Sequence, residues 1–137
     1  VGYGIAQPAL TDLLNRVRQP FNVNAMAQAA AVAALADHAF LQQSYELNRA
    51  GMRELEAAFT RMQLPFVPSR GNFVLVKVGP AARVYQALLK RGVIVRPVAN
   101  YGLPDWLRVS IGLPQENSRF LAALPDALAA AQAAANG

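Results

Sequence analysis

The period of the hydrophobic residues changes at Pro65, and this change restricts the fold more than any other feature of the chain. Before Pro65, one stripe of residues is spaced alternately by four and three positions, the spacing of one helix face. It predicts a helix from Asp37 to about Met62 and consists of Leu41, Tyr45, Asn48, Met52, Leu55, Phe59 and Met62. Asn48 is its one polar member, and Gly51 costs about 1 kcal/mol relative to alanine inside a helix. After Pro65, apolar residues alternate with a period of two, as in a half-buried strand.

The segment after Pro65 predicts strands and helices in alternation. A strand over residues 72–78 is followed by a helix over 80–91 and by a second strand over 93–95, which together form a βαβ unit. A third strand is predicted over residues 106–111. We therefore expect an α/β fold with a short mixed sheet, preceded by long helices.

The remaining elements are predicted from local signals such as proline positions and N-caps. They are the end of a strand at residues 1–5, a helix at 8–18, an alanine-rich helix at 25–36 capped by Asn24, and a helix at 114–124 that Pro125 kinks or breaks before a helix-prone tail that frays.

Composition excludes several classes of site. The chain has no cysteine and a single histidine, His38, so disulfides, thiolate catalysis and a metal cluster are not expected. The net charge is +5, but only 15% of the residues are charged and the arginines are scattered, so we predict no nucleic-acid partner. No apolar run approaches the roughly eighteen residues of a membrane helix. Without a signal-peptide pattern, a cytoplasmic location is expected.

Two arginines interrupt apolar strand segments and are the candidate functional residues. Arg96 precedes Pro97, which holds it extended where the chain leaves a strand. Arg108 alternates onto the same face as Ser110, away from its apolar neighbours. Burying a guanidinium costs several kcal/mol unless it is paired. Each arginine is therefore either a solvated strand residue or part of a receptor for a phosphate or carboxylate.

Five segments carry a family resemblance. They are VGYGIA, NRVRQPFNVNAMAQAAAVAAL, PSRGNFVLVKV, GVIVRPV and YGLPDWLRVSIGLPQEN. In this order and spacing, the chain resembles the C-terminal part of the histidinol-phosphate aminotransferases. The resemblance implies a fold-type-I enzyme that uses pyridoxal 5'-phosphate, works as a homodimer in histidine biosynthesis, and exchanges an amino group between histidinol phosphate and 2-oxoglutarate or glutamate.

The resemblance also implies domains and roles for individual residues. Residues 1–36 would be the end of the large domain and a connecting helix, and residues 37–137 the small C-terminal domain. Arg96 and Arg108 would bind the phosphate of the substrate or the carboxylate of glutamate, and Asn72 and Tyr101 could line the same cleft.

The Schiff-base lysine of the family is expected upstream of Val1, since neither Lys77 nor Lys90 matches its motif. Because the chain opens without a methionine, we expect it to be a piece of a longer protein. Alone it would hold no catalytic residue, cofactor or metal, and it would be inactive.

Two other functions stay open at this stage. The chain could be the small domain of a related enzyme, either an aromatic-amino-acid aminotransferase or a decarboxylase that uses the same cofactor. It could also be a free-standing, non-catalytic module that binds a phosphorylated metabolite. All three interpretations require the two arginines to meet an anion.

Overall fold

The structure is a computed structural model that describes residues 1–133, and the chain divides into two units. The first unit runs from Val1 to Gln42 and the second begins at Gln43. The elements are α1 (Pro8–Val17), α2 (Ala25–Ala36), α3 (His38–Arg61), β1 (Phe66–Val67), β2 (Phe73–Lys77), α4 (Ala81–Leu89), β3 (Arg96–Val98), a 3-10 turn (Ala99–Tyr101), β4 (Leu103–Ser110) and α5 (Pro114–Ala133).

The first unit contains helices that begin where local signals place them. α1 starts with Pro8 in its first turn, a position where the missing N–H costs nothing. Asn24 caps α2 as predicted, because its side-chain oxygen accepts a hydrogen bond of 2.8 Å from the N–H of Ala27. Asp37 caps α3 in the same way, at 2.9 Å from the N–H of Phe40. The described residues 1–5 form no strand, which corrects the prediction made for them.

The second unit contains a four-stranded sheet in the order β1-β2-β4-β3. Every neighbouring pair is antiparallel. β2 and β3 run parallel to each other, as a βαβ unit requires, but β4 lies between them. The α/β class is confirmed, whereas the expected mixed sheet is wrong because the last strand enters the sheet between the two parallel ones. β1 was not predicted, since a strand of two residues carries no periodic signal.

β3, at Arg96–Val98, lies three residues later than the strand predicted over residues 93–95. The apolar run that predicted it serves another purpose: Val93 is buried in the core and its N–H bonds to the carbonyl of Leu88 at 3.0 Å. Residues 93–95 therefore lead from the helix down to the sheet without pairing. β3 is an edge strand. Such a strand tolerates Pro97, because one of its sides makes no ladder hydrogen bonds.

One face of the sheet carries the core of the second unit. Three helices, α3, α4 and α5, contribute buried side chains to it. Phe59 is fully buried, with its ring centroid 6.0 Å from that of Phe66 and 6.3 Å from that of Phe120. The core consists of Met52, Leu55, Phe59, Val74, Val76, Val78, Ala81, Val84, Leu88, Val93, Leu107, Val109, Phe120, Leu124, Ala127 and Ala131.

We predicted that Pro125 kinks or breaks the last helix; the helix continues through Pro125, so it is not broken there. An interior proline costs about 3 kcal/mol in a helix. Here Leu124, Ala127 and Ala131 are buried on both sides of it, and their packing offsets that cost. The final four residues of the predicted fraying tail, 134–137, lie outside the described part. Within the described residues, no helix is long and apolar enough to cross a membrane.

Candidate anion-binding site

The two predicted arginines are direct cross-strand partners. Arg96 on β3 pairs with Arg108 on β4 in the antiparallel register. Such partners project from the same face of a sheet, with Cβ atoms about 5 Å apart, and like charges at this spacing destabilise the pairing. The two ion pairs found in the described residues join Asp12 with Arg16 and Asp126 with Arg91, so neither candidate arginine has a carboxylate partner there. The sheet therefore holds two adjacent positive charges that an anion would neutralise.

Arg108 is held in place by the strand and by an aromatic ring. Its neighbours Leu107 and Val109 are buried on the opposite face, as the alternation predicted. The guanidinium carbon of Arg108 lies 5.1 Å from the centroid of the Phe73 ring, a cation–π contact that orients the group. Its Nε is buried and has no hydrogen-bond partner among the described residues. A buried donor without an acceptor costs about 1–3 kcal/mol, so the described residues leave this guanidinium incompletely satisfied.

Both arginines line one pocket of about 620 Å³ at the end of β4. Ser110 and Arg119 also line it, so three guanidinium groups share the pocket. Glu116 is the single carboxylate among the lining residues, and its Oε2 accepts a hydrogen bond of 2.7 Å from the N–H of Leu113. That bond ties the acid to the first turn of α5, where it offsets the exposed N–H groups of the helix. The pocket carries more positive than negative charge.

Arg119 was not predicted from the sequence. Its Nη2 donates to the carbonyl oxygen of Arg91 at 3.1 Å. The same nitrogen lies 2.6 Å from the position that a Cβ would take at Gly92, which has a φ of +71°. Glycine at position 92 therefore both turns the chain after α4 and leaves space for the guanidinium. Because this contact joins segments far apart in sequence, no local pattern indicated it.

The other two predicted residues lie elsewhere along the sheet. Asn72 immediately precedes β2, and its carbonyl oxygen accepts a hydrogen bond of 2.8 Å from the N–H of Ile111. Tyr101 is exposed in the turn before β4, where Gly102 ends the turn with a φ of +75°. Neither residue is among those that line the pocket. The structure thus brings the two arginines together and leaves Asn72 and Tyr101 outside the pocket.

No lysine and no metal-binding cluster of the described residues lines this pocket. Lys77 is exposed on β2 opposite Trp106, and Lys90 is exposed at the end of α4, so neither lysine lines it. No group of three histidine, cysteine, aspartate or glutamate side chains in the described part could hold a metal ion. The pocket can bind and orient an anion through bidentate guanidinium hydrogen bonds.

Comparisons with known proteins identify a family. The sequence model of the family described as aminotransferase class I and II matches residues 1–124. The chain is 67% identical over 139 residues to histidinol-phosphate aminotransferase 2 of Ralstonia nicotianae, and the match covers 98% of this chain and 37% of that protein. It is also 67% identical to histidinol-phosphate aminotransferase 1 of Cupriavidus pinatubonensis, with 93% of this chain and 35% of that protein covered.

A solved structure agrees with these sequence matches. The crystal structure of histidinol-phosphate aminotransferase from Sinorhizobium meliloti in complex with pyridoxal-5'-phosphate aligns with a TM-score of 0.76 at 26% sequence identity. The alignment covers 89% of this chain and 35% of that chain. The chain thus spans about a third of the length of the curated relatives that it matches.

Proposed function

The chain belongs to the class I and II aminotransferases, and from this premise we propose that it supplies the small domain of a histidinol-phosphate aminotransferase. The proposed reaction transfers the amino group of histidinol phosphate to 2-oxoglutarate, which yields imidazole acetol phosphate and glutamate. Relatives that are 67% identical carry this name and support the proposal. In this proposal, residues 1–36 belong to the large domain and its connecting helix, and residues 37–137 form the small domain.

The observation that carries the proposal is the pair of facing arginines, Arg96 and Arg108. A phosphate dianion placed between them removes the repulsion of two like charges and accepts hydrogen bonds from the two guanidinium groups that line the pocket. The carboxylate of glutamate would use the same donors in the other half reaction. This chain would bind the substrate by its phosphate or carboxylate, a group remote from the reacting carbon. Such binding orients the substrate and lowers the entropy cost of reaching the transition state.

The cofactor is proposed for the full-length enzyme, because a solved relative was determined with pyridoxal-5'-phosphate. The residues of this chain do not fit the cofactor on their own, since Lys77 and Lys90 are both exposed and away from the arginine pocket. We therefore assign no chemical step on the cofactor to this chain. Asn72 and Tyr101 are proposed to face the cleft where the rest of the enzyme adjoins the sheet. A homodimer and a cytoplasmic location are part of the same proposal.

The proposal is tested with a fusion enzyme, in which this chain follows the N-terminal part of the Ralstonia nicotianae relative in place of its own C-terminal part. The fusion enzyme is expected to produce glutamate from 2-oxoglutarate only when histidinol phosphate is present. This chain alone, mixed with pyridoxal phosphate and treated with borohydride, is expected to give no stoichiometric adduct on Lys77 or Lys90 by mass mapping. An inactive fusion enzyme that is folded and binds cofactor would refute the assignment.

Arginine variants of the fusion enzyme test the site itself. Arg108→Ala is expected to lower kcat/KM for histidinol phosphate roughly 10- to 1,000-fold, or about 1.4 to 4 kcal/mol, because it leaves the phosphate unpaired. Arg96→Lys keeps the charge, loses the bidentate fork and should cost less. Arg83→Ala removes an exposed arginine outside the pocket and serves as the control. If Arg108→Ala weakened histidinol and histidinol phosphate equally, Arg108 would have a structural role only.

A further inference from the structure

The adjoining ends of β2 and β4 are held by two asparagine side chains, one from each of two helices. On α5, Asn117 is the one buried polar residue in the described part of the chain, with 4% of its surface exposed. Its Oδ1 accepts a hydrogen bond of 3.0 Å from the N–H of Gly112, and its Nδ2 donates one of 3.3 Å to the carbonyl oxygen of the same glycine. One side chain thereby binds both the N–H and the carbonyl oxygen of Gly112, which lies two residues beyond the end of β4.

The second asparagine holds the neighbouring strand. Asn48, the polar member of the apolar stripe on α3, donates from Nδ2 to the carbonyl oxygen of Gly71 at 3.0 Å. The N–H of Gly71 donates to the hydroxyl of Ser69 at 3.1 Å. The next carbonyl along the chain, that of Asn72, accepts from the N–H of Ile111 at 2.8 Å. The segments at the two strand ends are thus bonded to each other as well as to the helices.

Gly51 shows that this region has little free space. A Cβ at position 51 would lie 2.6 Å from Cγ2 of Ile111 and 2.7 Å from Nδ2 of Asn117. α3 therefore approaches the end of β4 and the Asn117 side chain as closely as a helix backbone can. Asn48 lies one turn before Gly51 on the same helix, so the helix position that allows the close approach also brings the first asparagine to Gly71. We call Asn48 and Asn117 the asparagine clamp.

The clamped segments lead directly to the groups that orient Arg108. Phe73 is the first residue of β2 and pairs with Ser110, the last residue of β4. The guanidinium of Arg108 lies over the Phe73 ring. A slip or loosening at the ends of these strands would move the ring relative to the guanidinium, because side-chain direction follows strand register. The clamp therefore lies at the strand ends where this contact forms.

We propose that Asn117 and Asn48 are positioning residues that hold β2 and β4 in the register that places Arg108 for anion binding. Asn117 is among the residues that line the pocket, but its Oδ1 and Nδ2 are both bonded to Gly112, so in this proposal neither asparagine binds the anion. Their hydrogen bonds keep the Phe73 ring against the guanidinium of Arg108 and so hold the arginine where it lines the pocket. The anion would be a phosphate monoester or a carboxylate, and its identity rests on the proposed function. The role of the clamp rests on the structure alone.

The first test uses the full chain and does not depend on enzyme activity. Amide hydrogen exchange is measured by NMR for the Asn117→Leu variant, in which a side chain of similar size lacks both hydrogen bonds. The Gly112 amide is expected to exchange about tenfold faster than in the unaltered chain, while the Val76 amide inside the sheet changes much less. Unchanged protection at Gly112 would show that the clamp does not hold the strand end.

The second test measures anion binding through the Arg108 Nε–H resonance during a titration with inorganic phosphate. Asn117→Leu and Asn48→Leu are each expected to raise the apparent Kd for phosphate about tenfold, because the guanidinium of Arg108 is no longer held in one orientation. Asn48→Gln retains an amide donor and should recover part of the affinity. Leu124→Ala on the same helix is the control, since it removes fully buried apolar volume seven residues further along α5 than Asn117. If this control raised the Kd as much as Asn117→Leu, loss of stability would explain both results and the clamp would have no positioning role.

The fusion enzyme separates this proposal from the proposed function. With the clamp intact, an inactive fusion enzyme speaks against the proposed function, whereas the exchange and phosphate experiments still decide the clamp. In an active fusion enzyme, Asn117→Leu should lower kcat/KM about tenfold for histidinol phosphate and less than about twofold for histidinol. Equal losses for both substrates would overturn the positioning role.

Discussion

The two units of the chain contain helices that are stabilised in different ways. In the first unit, no residue of α1 or α2 is buried. In the second unit, each helix buries at least three residues against the sheet or against another helix. The first set of helices is therefore specified by local signals such as caps and alanine content, and the second by tertiary packing.

The exposed surface of the first unit is the more unusual of the two. Met26, Val32 and Leu35 of α2 are 85%, 71% and 80% exposed, on a helix that is otherwise alanine and one glutamine. A helix that is apolar on all sides is typical of one buried inside a larger protein. α1 instead carries one apolar stripe, and it consists of Leu10, Leu13, Leu14 and Val17, all more than half exposed. The comparison indicates that the first unit has surfaces made for a partner, whereas the second has its own core.

The largest expected effect separates two phenylalanines on the same helix, α3. Phe59→Ala is expected to destabilise the second unit by about 3–5 kcal/mol, because the ring is fully buried between Phe66 and Phe120. Phe40→Ala, at a side chain that is 65% exposed in the first unit, should change the unfolding free energy by less than about 0.5 kcal/mol. Urea unfolding followed by near-ultraviolet circular dichroism measures both. Equal losses would mean that the first unit shares a core with the second.

The next effect concerns self-association of the chain. Exposed apolar patches of more than a few hundred square ångströms tend to find partners, so we expect light scattering to show association that grows with concentration. Leu14→Gln on α1 should lower the association constant by about 10- to 100-fold, since burying a leucine contributes about 1.5–3 kcal/mol. Leu113→Gln, at an exposed leucine of the second unit, is the matched control and should have little effect. A chain that stays monomeric over a wide concentration range would contradict the interpretation of the first unit.

The difference between the units also explains what the sequence could predict. Helices in the first unit begin at the predicted positions because Asn24 and Pro8 act on their nearest neighbours. The family resemblance is confirmed by the comparisons, and the alternation around Arg108 placed it on the open face correctly. The long apolar stripe correctly predicted α3, although it gave no reason for Asn48. Patterns within one element therefore predicted that element well.

The errors fall where distant segments meet. The strand at Arg96–Val98 was misplaced because Val93, which carries the apolar signal, packs into the core before the strand begins. Pro125 was expected to kink or break a helix that stays continuous, with buried residues on both sides of the proline. Arg119 was missed because its position depends on the carbonyl of Arg91. A pattern within one segment of the sequence cannot show contacts of this kind, which join distant segments.

Exchanges between glycine and alanine compare packing with helix propensity in the two units. We expect packing to outweigh propensity in the second unit and propensity to decide in the first. Gly51→Ala should gain up to about 1 kcal/mol in propensity, but the new Cβ would lie 2.6 Å from Ile111 Cγ2, so we expect a net destabilisation of about 1–2 kcal/mol. Ala30→Gly in α2 should lose about 1 kcal/mol of helix propensity. Thermal unfolding measures the first change, and hydrogen exchange within α2 measures the second. A stabilised Gly51→Ala variant would show that Ile111 moves aside and that the close approach is not required.

The smallest effect compares the loss of one capping hydrogen bond in each unit. Asn24→Ala removes the bond to the N–H of Ala27, and Glu116→Ala removes the bond to the N–H of Leu113. Each change should cost about 1 kcal/mol locally. α2 has no buried residue to hold it, so Asn24→Ala is expected to reduce its helical population, seen as lower far-ultraviolet ellipticity and faster exchange throughout α2. α5 is anchored by Phe120, Leu124 and Ala127, so Glu116→Ala should lower the unfolding free energy without a change in helix content. Glu116→Gln, which keeps an acceptor oxygen, is the control for the second variant. If Asn24→Ala left α2 as well protected as before, contacts other than its cap would be holding that helix, and the contrast between the units would not hold for α2.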